Sequence, residues 1–139
     1  MWGDWSVYAG VLRVQCKVTR GSATLYITCS HGVATVGDKI FAVLGEDRIL
    51  YTPISSEIGK EYATWVLRGM AWNVKVVRIG VVGESFRYTI PRSFARTLGI
   101  EKGDLILAVS TSPDTLEVIP LRLILEKIGK FREPIQTFY

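Results

Sequence analysis

Residues 86–104 read Phe86-Arg87-Tyr88-Thr89-Ile90-Pro91-Arg92-Ser93-Phe94-Ala95-Arg96-Thr97-Leu98-Gly99-Ile100-Glu101-Lys102-Gly103-Asp104. The alternation from Phe86 to Ile90 predicts a short strand. Pro91 ends it and opens a helix of one to two turns, because its fixed φ suits the first helical position and its missing N–H is not needed there. Gly99 closes that helix, and Gly103-Asp104 turns the chain into a new apolar strand. On the first strand Phe86, Tyr88 and Ile90 share the core face, so Arg87 and Thr89 point outward. On the helix Arg92 and Arg96 are four positions apart and share one side.

The charge of the chain concentrates around this element. Val74–Lys102 holds Lys75, Arg78, Arg87, Arg92, Arg96 and Lys102 against Glu84 and Glu101, 6 − 2 = +4. The whole chain is 17 − 13 = +4, so everything outside the segment sums to zero. An excess confined to one segment points to a polyanion-binding face more than to a solubility device. Arginine suits phosphate because its planar fork donates two parallel hydrogen bonds and stays charged. These six residues are the candidate binding set.

The 139 residues make one domain or two very small ones, and 48% hydrophobic residues suffice for a core. Cys16, Cys29 and His31 lack metal-ligand spacing, so two thiols in a reducing compartment are expected, with no metal and no cofactor. No apolar run approaches the roughly 18 residues of a membrane span. Met1-Trp2-Gly3-Asp4-Trp5 lacks a signal-peptide pattern, which predicts a cytoplasmic location and no membrane partner.

Two halves resemble each other. Gly37-Asp38-Lys39-Ile40-Phe41-Ala42-Val43 and Gly103-Asp104-Leu105-Ile106-Leu107-Ala108-Val109 share five identities in seven. Lys17–Arg20 matches Lys75–Arg78, and Leu25–Thr28 falls in the place of Arg87–Ile90. Chance similarity between two β-rich halves is the alternative to a duplication. Strands are expected at 11–19, 25–28, 39–44, 48–53, 73–79, 86–90, 105–109 and 115–120. Ser55 or Ser56 caps a helix to about Arg68, with Ile58, Tyr62, Trp65 and Val66 on one core-facing stripe. A second helix spans 121–128, and an irregular tail runs from Lys130 to Tyr139 with Pro134 inside it. The chain divides into a β unit at 1–54, a connecting helix at 55–72, a second β unit at 73–121, and a C-terminal helix and tail at 122–139.

The run Tyr88-Thr-Ile-Pro-Arg-Ser-Phe-Ala-Arg-Thr-Leu-Gly-Ile-Glu-Lys-Gly-Asp104 resembles the swapped-hairpin DNA-binding domain of the AbrB and SpoVT transition-state regulators and the MazE-type antitoxins. The match covers about 74–121, and 11–54 reads as a degenerate second copy. It implies a mostly β fold with short helices, a small barrel of interlocked hairpins. The barrel is completed either within one chain, as a pseudo-dimer, or by a second molecule as a homodimer. A unit of about 48 residues buries too little surface to stand alone. The resemblance also implies double-stranded DNA as partner and a role in transcription regulation. Arg87 matches the family's strand arginine. The family's helix arginine pair is here Ala95-Arg96, and Phe86 replaces a glycine; these departures weigh more against base reading than against backbone binding.

Two other classes remain. A protein-docking module would use the C-terminal helix and tail, with Phe131, Ile135, Phe138 and Tyr139 as anchors. An enzyme is disfavoured: Gly21-Ser22 resembles the self-cleavage pair of aspartate decarboxylase, which shares the superfold, but no nucleophile–base pair, paired carboxylates or phosphate-cradling loop accompanies it.

Overall fold

A computed structural model describes residues 8–33, 38–70 and 72–136, with side-chain surroundings described through Gly129. The β-branched and aromatic runs form β1 (Tyr8–Arg13), β2 (Gln15–Thr19), β3 (Ser22–Cys29), β4 (Lys39–Leu44), β5 (Ile49–Pro53), β6 (Val74–Val82), β7 (Ser85–Ile90), β8 (Leu105–Ser110) and β9 (Leu116–Pro120). Three helices interrupt them: α1 (Glu57–Leu67), α2 (Arg92–Leu98) and α3 (Leu121–Gln136). Every ladder is antiparallel, in the order β1-β8-β9-β5-β4-β6-β7-β3-β2.

The two ends of that order are one stretch of chain. The single strand expected over 11–19 bends at Val14, so that β1 pairs with β8 and β2 with β3. Val14 is 1% exposed. Its N–H donates to the Asp104 carbonyl at 2.8 Å, and its carbonyl accepts from the Gly103 N–H at 2.8 Å. The bend curls the sheet into a nearly closed barrel and leaves few open strand edges.

Inward-facing residues of every sheet region fill the barrel, among them Ile27, Ile40, Ile49, Tyr51, Tyr88, Ile106 and Val118. Two tyrosines meet at its centre, with ring centroids 5.1 Å apart. Tyr51 donates to the Thr89 carbonyl at 2.8 Å. Tyr88 donates to the His31 carbonyl at 2.7 Å and accepts from the Val33 N–H at 3.1 Å. Both hydroxyls are therefore satisfied although burial pushes both phenols up. α2 adds Phe94, Ala95 and Leu98 to the same core, and it ends at Gly99 with φ 70, a left-handed cap that favours glycine.

Two helix expectations need correction. Ser56 does cap α1, its Oγ accepting from the Gly59 N–H at 2.9 Å. The stripe of Ile58, Trp65 and Val66 does not reach the core, however; these residues are 39%, 40% and 41% exposed. Gly59 is the buried residue of α1. A Cβ there would lie 2.0 Å from the Pro53 carbonyl oxygen. The helix thus approaches β5 through a bare backbone patch, with Ala63 and, alone of the stripe, Tyr62 half-buried beside it.

α3 continues past Gly129 to Gln136, where an irregular tail is expected from Lys130. One glycine costs a helix only about 1 kcal/mol relative to alanine. That is too little to end a helix anchored upstream by Leu123 against the core and by Lys127 on Asp47. Pro134 falls within its closing turn. The expected anchors Phe131 and Ile135 lie outside the described side chains, and Phe138 and Tyr139 outside the described residues. No helix among the described residues is long and apolar enough to cross a membrane.

Candidate nucleic-acid interface

The β2–β3 hairpin turns through Arg20 and Gly21, at φ 52 and 79. A two-residue turn with both φ positive matches the twist of its strands and holds Arg20 at the tip. Pairing of Lys17 with Thr24, Gln15 with Tyr26 and Tyr26 with Thr89 defines an outer face on β2, β3 and β7. Thr28 Oγ1 donates to Gln15 Oε1 across this face at 3.2 Å.

Arg87 lies on the same face, as alternation requires, but it is not freely exposed. It is half-buried, with its guanidinium 4.4 Å from the centroid of the Tyr26 ring. Its Nε is shielded from solvent and has no protein hydrogen-bond partner. The register that sets Tyr26 beside Arg87 converts a presumed free cation into a stacked one, an interaction of about 0.5–2 kcal/mol.

Between β3 and α2 the surface opens into a cleft of about 730 Å³. Arg92, Arg96 and Lys102 supply its cations, Ser22, Thr24 and Thr89 its hydroxyls, Leu25, Ile90 and Ile100 an apolar floor, and Glu101 a carboxylate. Arg92 Nη2 reaches over to the Ala23 carbonyl at 3.2 Å and to Ser22 Oγ at 3.4 Å. The far wall is fixed by local bonds. Asp104 Oδ2 accepts from the Glu101 N–H at 2.7 Å, and Arg13 Nη1 donates to the Gly103 carbonyl at 2.8 Å. Arg122 Nη2 donates to the Leu98 carbonyl at 2.7 Å, satisfying an orphan acceptor at the end of α2.

No family model, no curated protein and no solved structure matches the chain.

Of the six candidate residues, Arg92, Arg96 and Lys102 line one cleft, and Arg87 stands two residues from Thr89, another lining residue. Arg78 is on the outer face of β6, with Nε 3.4 Å from Asp38 Oδ2. Lys75 is three residues from Arg78 along the same strand, so it belongs to the opposite face, where its register partner is Ala42. The structure adds Lys17 and Arg20, exposed on the hairpin beside the cleft. Their basic character is visible in the sequence, but their approach to α2 arises only from folding.

Among the described residues, none of Lys17, Arg20, Arg87, Arg92, Arg96 and Lys102 has a carboxylate within 4.0 Å; the ion pairs engage Arg48, Lys60, Arg78, Arg122 and Lys127. Lys17, Arg20, Arg92, Arg96 and Lys102 are exposed to an incoming anion, while Arg87 adds its charge to the same face from its stacked position on Tyr26. The buried Cys29 is a poor nucleophile, because burial pushes its thiol up while it donates to the His31 carbonyl at 3.3 Å.

Proposed function

We propose that this chain is a DNA-binding protein of regulatory type. It grips duplex phosphates through the outer face of β2, β3 and β7 and the cationic rim of the cleft beside α2. The observation that carries this reading is the gathering of six cations from both halves of the chain, free of carboxylate partners among the described residues, around one surface. Phosphate contacts of this type supply affinity without reading sequence. The test is retention of a labelled duplex at low salt. Charge reversal at Arg96 or Lys17, both exposed, is expected to weaken binding at least tenfold. Retention that is absent in the unaltered chain, or indifferent to both changes, would overturn the reading.

The same reading includes an interlocked-hairpin barrel with both copies in one chain. Its support is the pattern of pairing between halves. β4 of the first half pairs with β6 of the second, and β8 of the second pairs with β1 of the first. Ile40 opposite Val77 has its counterpart in Ile106 opposite Leu12. Ile27 faces Tyr88, and Leu50 faces Glu117. An internal two-fold axis through these last two pairs relates the ladders. On this account Ile27 is equivalent to Tyr88, one residue off the alignment of Leu25–Thr28 with Arg87–Ile90, because a fully buried side chain must replace a fully buried one. A chain that completes its own barrel is expected to run at its sequence mass of 15.5 kDa in light scattering at micromolar concentration.

A second reading, a protein-docking module at α3, draws on Leu125 and Ile128, which are 59% and 46% exposed. It displaces the first if Leu125→Glu with Ile128→Glu abolishes a specific protein complex in a chain that binds no duplex.

A further inference from the structure

We propose that the cleft between β3 and α2 is a site for a small organic phosphate, a phosphomonoester on an apolar or aromatic body, and that its occupant competes with DNA for Arg92, Arg96 and Lys102. The first clause stands on the cleft alone. The second rests on the DNA-binding reading above.

The distribution of polarity is what points to such a ligand. Two guanidiniums and an ammonium face a single carboxylate, Glu101, leaving a surplus of two positive charges. A phosphomonoester carries about −1.5 to −2 at neutral pH, which balances that surplus. Arginine forks bind such a group bidentately. Beneath the cations lies a narrow apolar floor, the half-buried Leu25 with the exposed edges of Ile90 and Ile100, which are otherwise buried in the core. A duplex backbone presents only phosphate and sugar and has no use for that floor, whereas the body of an organic phosphate would cover it. The Thr24 and Thr89 hydroxyls and the Glu101 carboxylate are placed to bond polar edges of that body. The volume, about 730 Å³, lies within the roughly 300–1,000 Å³ range of small-molecule sites.

The fold does not demand this cavity. Under the internal two-fold relation Leu25 corresponds to Phe86, since Leu25 faces Ile90 and Phe86 faces Cys29. On the Phe86 side the larger ring packs against backbone, where a Cβ on Gly32 would lie 2.6 Å from it. The Leu25 side has the smaller residue, and there the cleft beside α2 collects the cations. Its walls are also preorganised, by Arg122 on the end of α2 and by Asp104 on the Glu101 N–H, so little ordering remains to be done on binding.

The experiment titrates the full chain, by calorimetry, with adenosine 5′-monophosphate, 1-naphthyl phosphate, adenosine and inorganic phosphate. At least one of the two monoesters is expected to bind tenfold or more tightly than inorganic phosphate, and adenosine to bind at least tenfold more weakly than its monophosphate. Ala23→Trp, at an exposed lining position on the Leu25 face of β3 and not on the outer face that carries Lys17 and Tyr26, fills the cleft and changes no cation. It should weaken the monoester at least tenfold while duplex affinity stays within threefold. Lys102→Glu, on an exposed loop, should weaken both. If neither monoester exceeds inorganic phosphate, the cleft is a simple anion patch and the proposal is overturned. Monoester binding that survives Ala23→Trp in a folded chain overturns it as well. Monoester binding that fails to displace a labelled duplex overturns the competition alone. A chain that binds monoester and no duplex refutes the DNA reading and leaves the ligand site standing.

Discussion

Asp47 offers the sharpest energetic test of the architecture. It sits in the turn between β4 and β5 and is 9% exposed. Its Oδ1 accepts from Arg48 Nε at 2.8 Å, and Lys127 of α3 contacts its Oδ2. The hydrogen bonds from Arg48 and then Lys127 hold the carboxyl down, from 3.8 to about 2. At about 1.4 kcal/mol per unit of pKa, this corresponds to up to about 2.5 kcal/mol of native-state stability. Arg48 and Lys127 are 39% and 55% exposed, so screening by solvent reduces the figure to about 1–2 kcal/mol. A carboxyl depressed in the folded state stabilises the fold above its unfolded pKa. That contribution disappears as pH falls through the folded value, here between about 4 and about 2. Asp47→Asn should therefore lower the melting temperature at pH 7 by about 3–8 °C. The gap between variant and parent should close toward pH 2, as the parent carboxyl protonates. Thermal melts followed by circular dichroism at pH 7, 4 and 2 decide the matter. A variant as stable as the parent at pH 7, or a gap as wide at pH 2 as at pH 7, would show that the bonds from Arg48 and Lys127 to Asp47 do not stabilise the fold.

Two further substitutions test the packing. Gly59→Ala would drive a Cβ to 2.0 Å from the Pro53 carbonyl oxygen, so α1 must lift from β5. We expect a loss of at least about 1–3 kcal/mol in urea unfolding, against the slight gain alanine gives in an unhindered helix. Tyr88→Phe keeps the ring in the core but leaves the Val33 N–H without the acceptor it reaches at 3.1 Å. The same unfolding measurement should show a cost of about 1–3 kcal/mol, and a neutral result would mean that this segment rearranges to satisfy its donor.

Much of the strand layout was legible because it depends on local pattern. Phe86–Ile90 alternates, Gly99 and Gly103 occupy left-handed positions, and Pro91 marks the entry to α2. What stayed hidden was whatever depends on a neighbour. The stripe on α1 has the same period whether it faces a core or solvent, and the burial of Gly59 against Pro53 decides between the two. The outward direction of Arg87 follows from parity, but its burial follows from Tyr26, which only the β3–β7 register brings alongside. The separation of Lys75 from Arg78 was readable, since an odd spacing on a strand places two residues on opposite faces. Lys17 and Arg20 joined the candidate site because the β2–β3 hairpin folds against α2, some 70 positions away in sequence, as the bond from Arg92 to Ser22 records.

The central claim is that cations at 17, 20, 87, 92, 96 and 102 act together on one phosphate backbone. The most direct measurement is the slope of log K against log salt for a short duplex. A protein neutralising about five to six phosphates gives a slope near −5, and Arg96→Ala should make it shallower by about one. A slope near zero, or one that Arg96→Ala leaves untouched, would contradict the account.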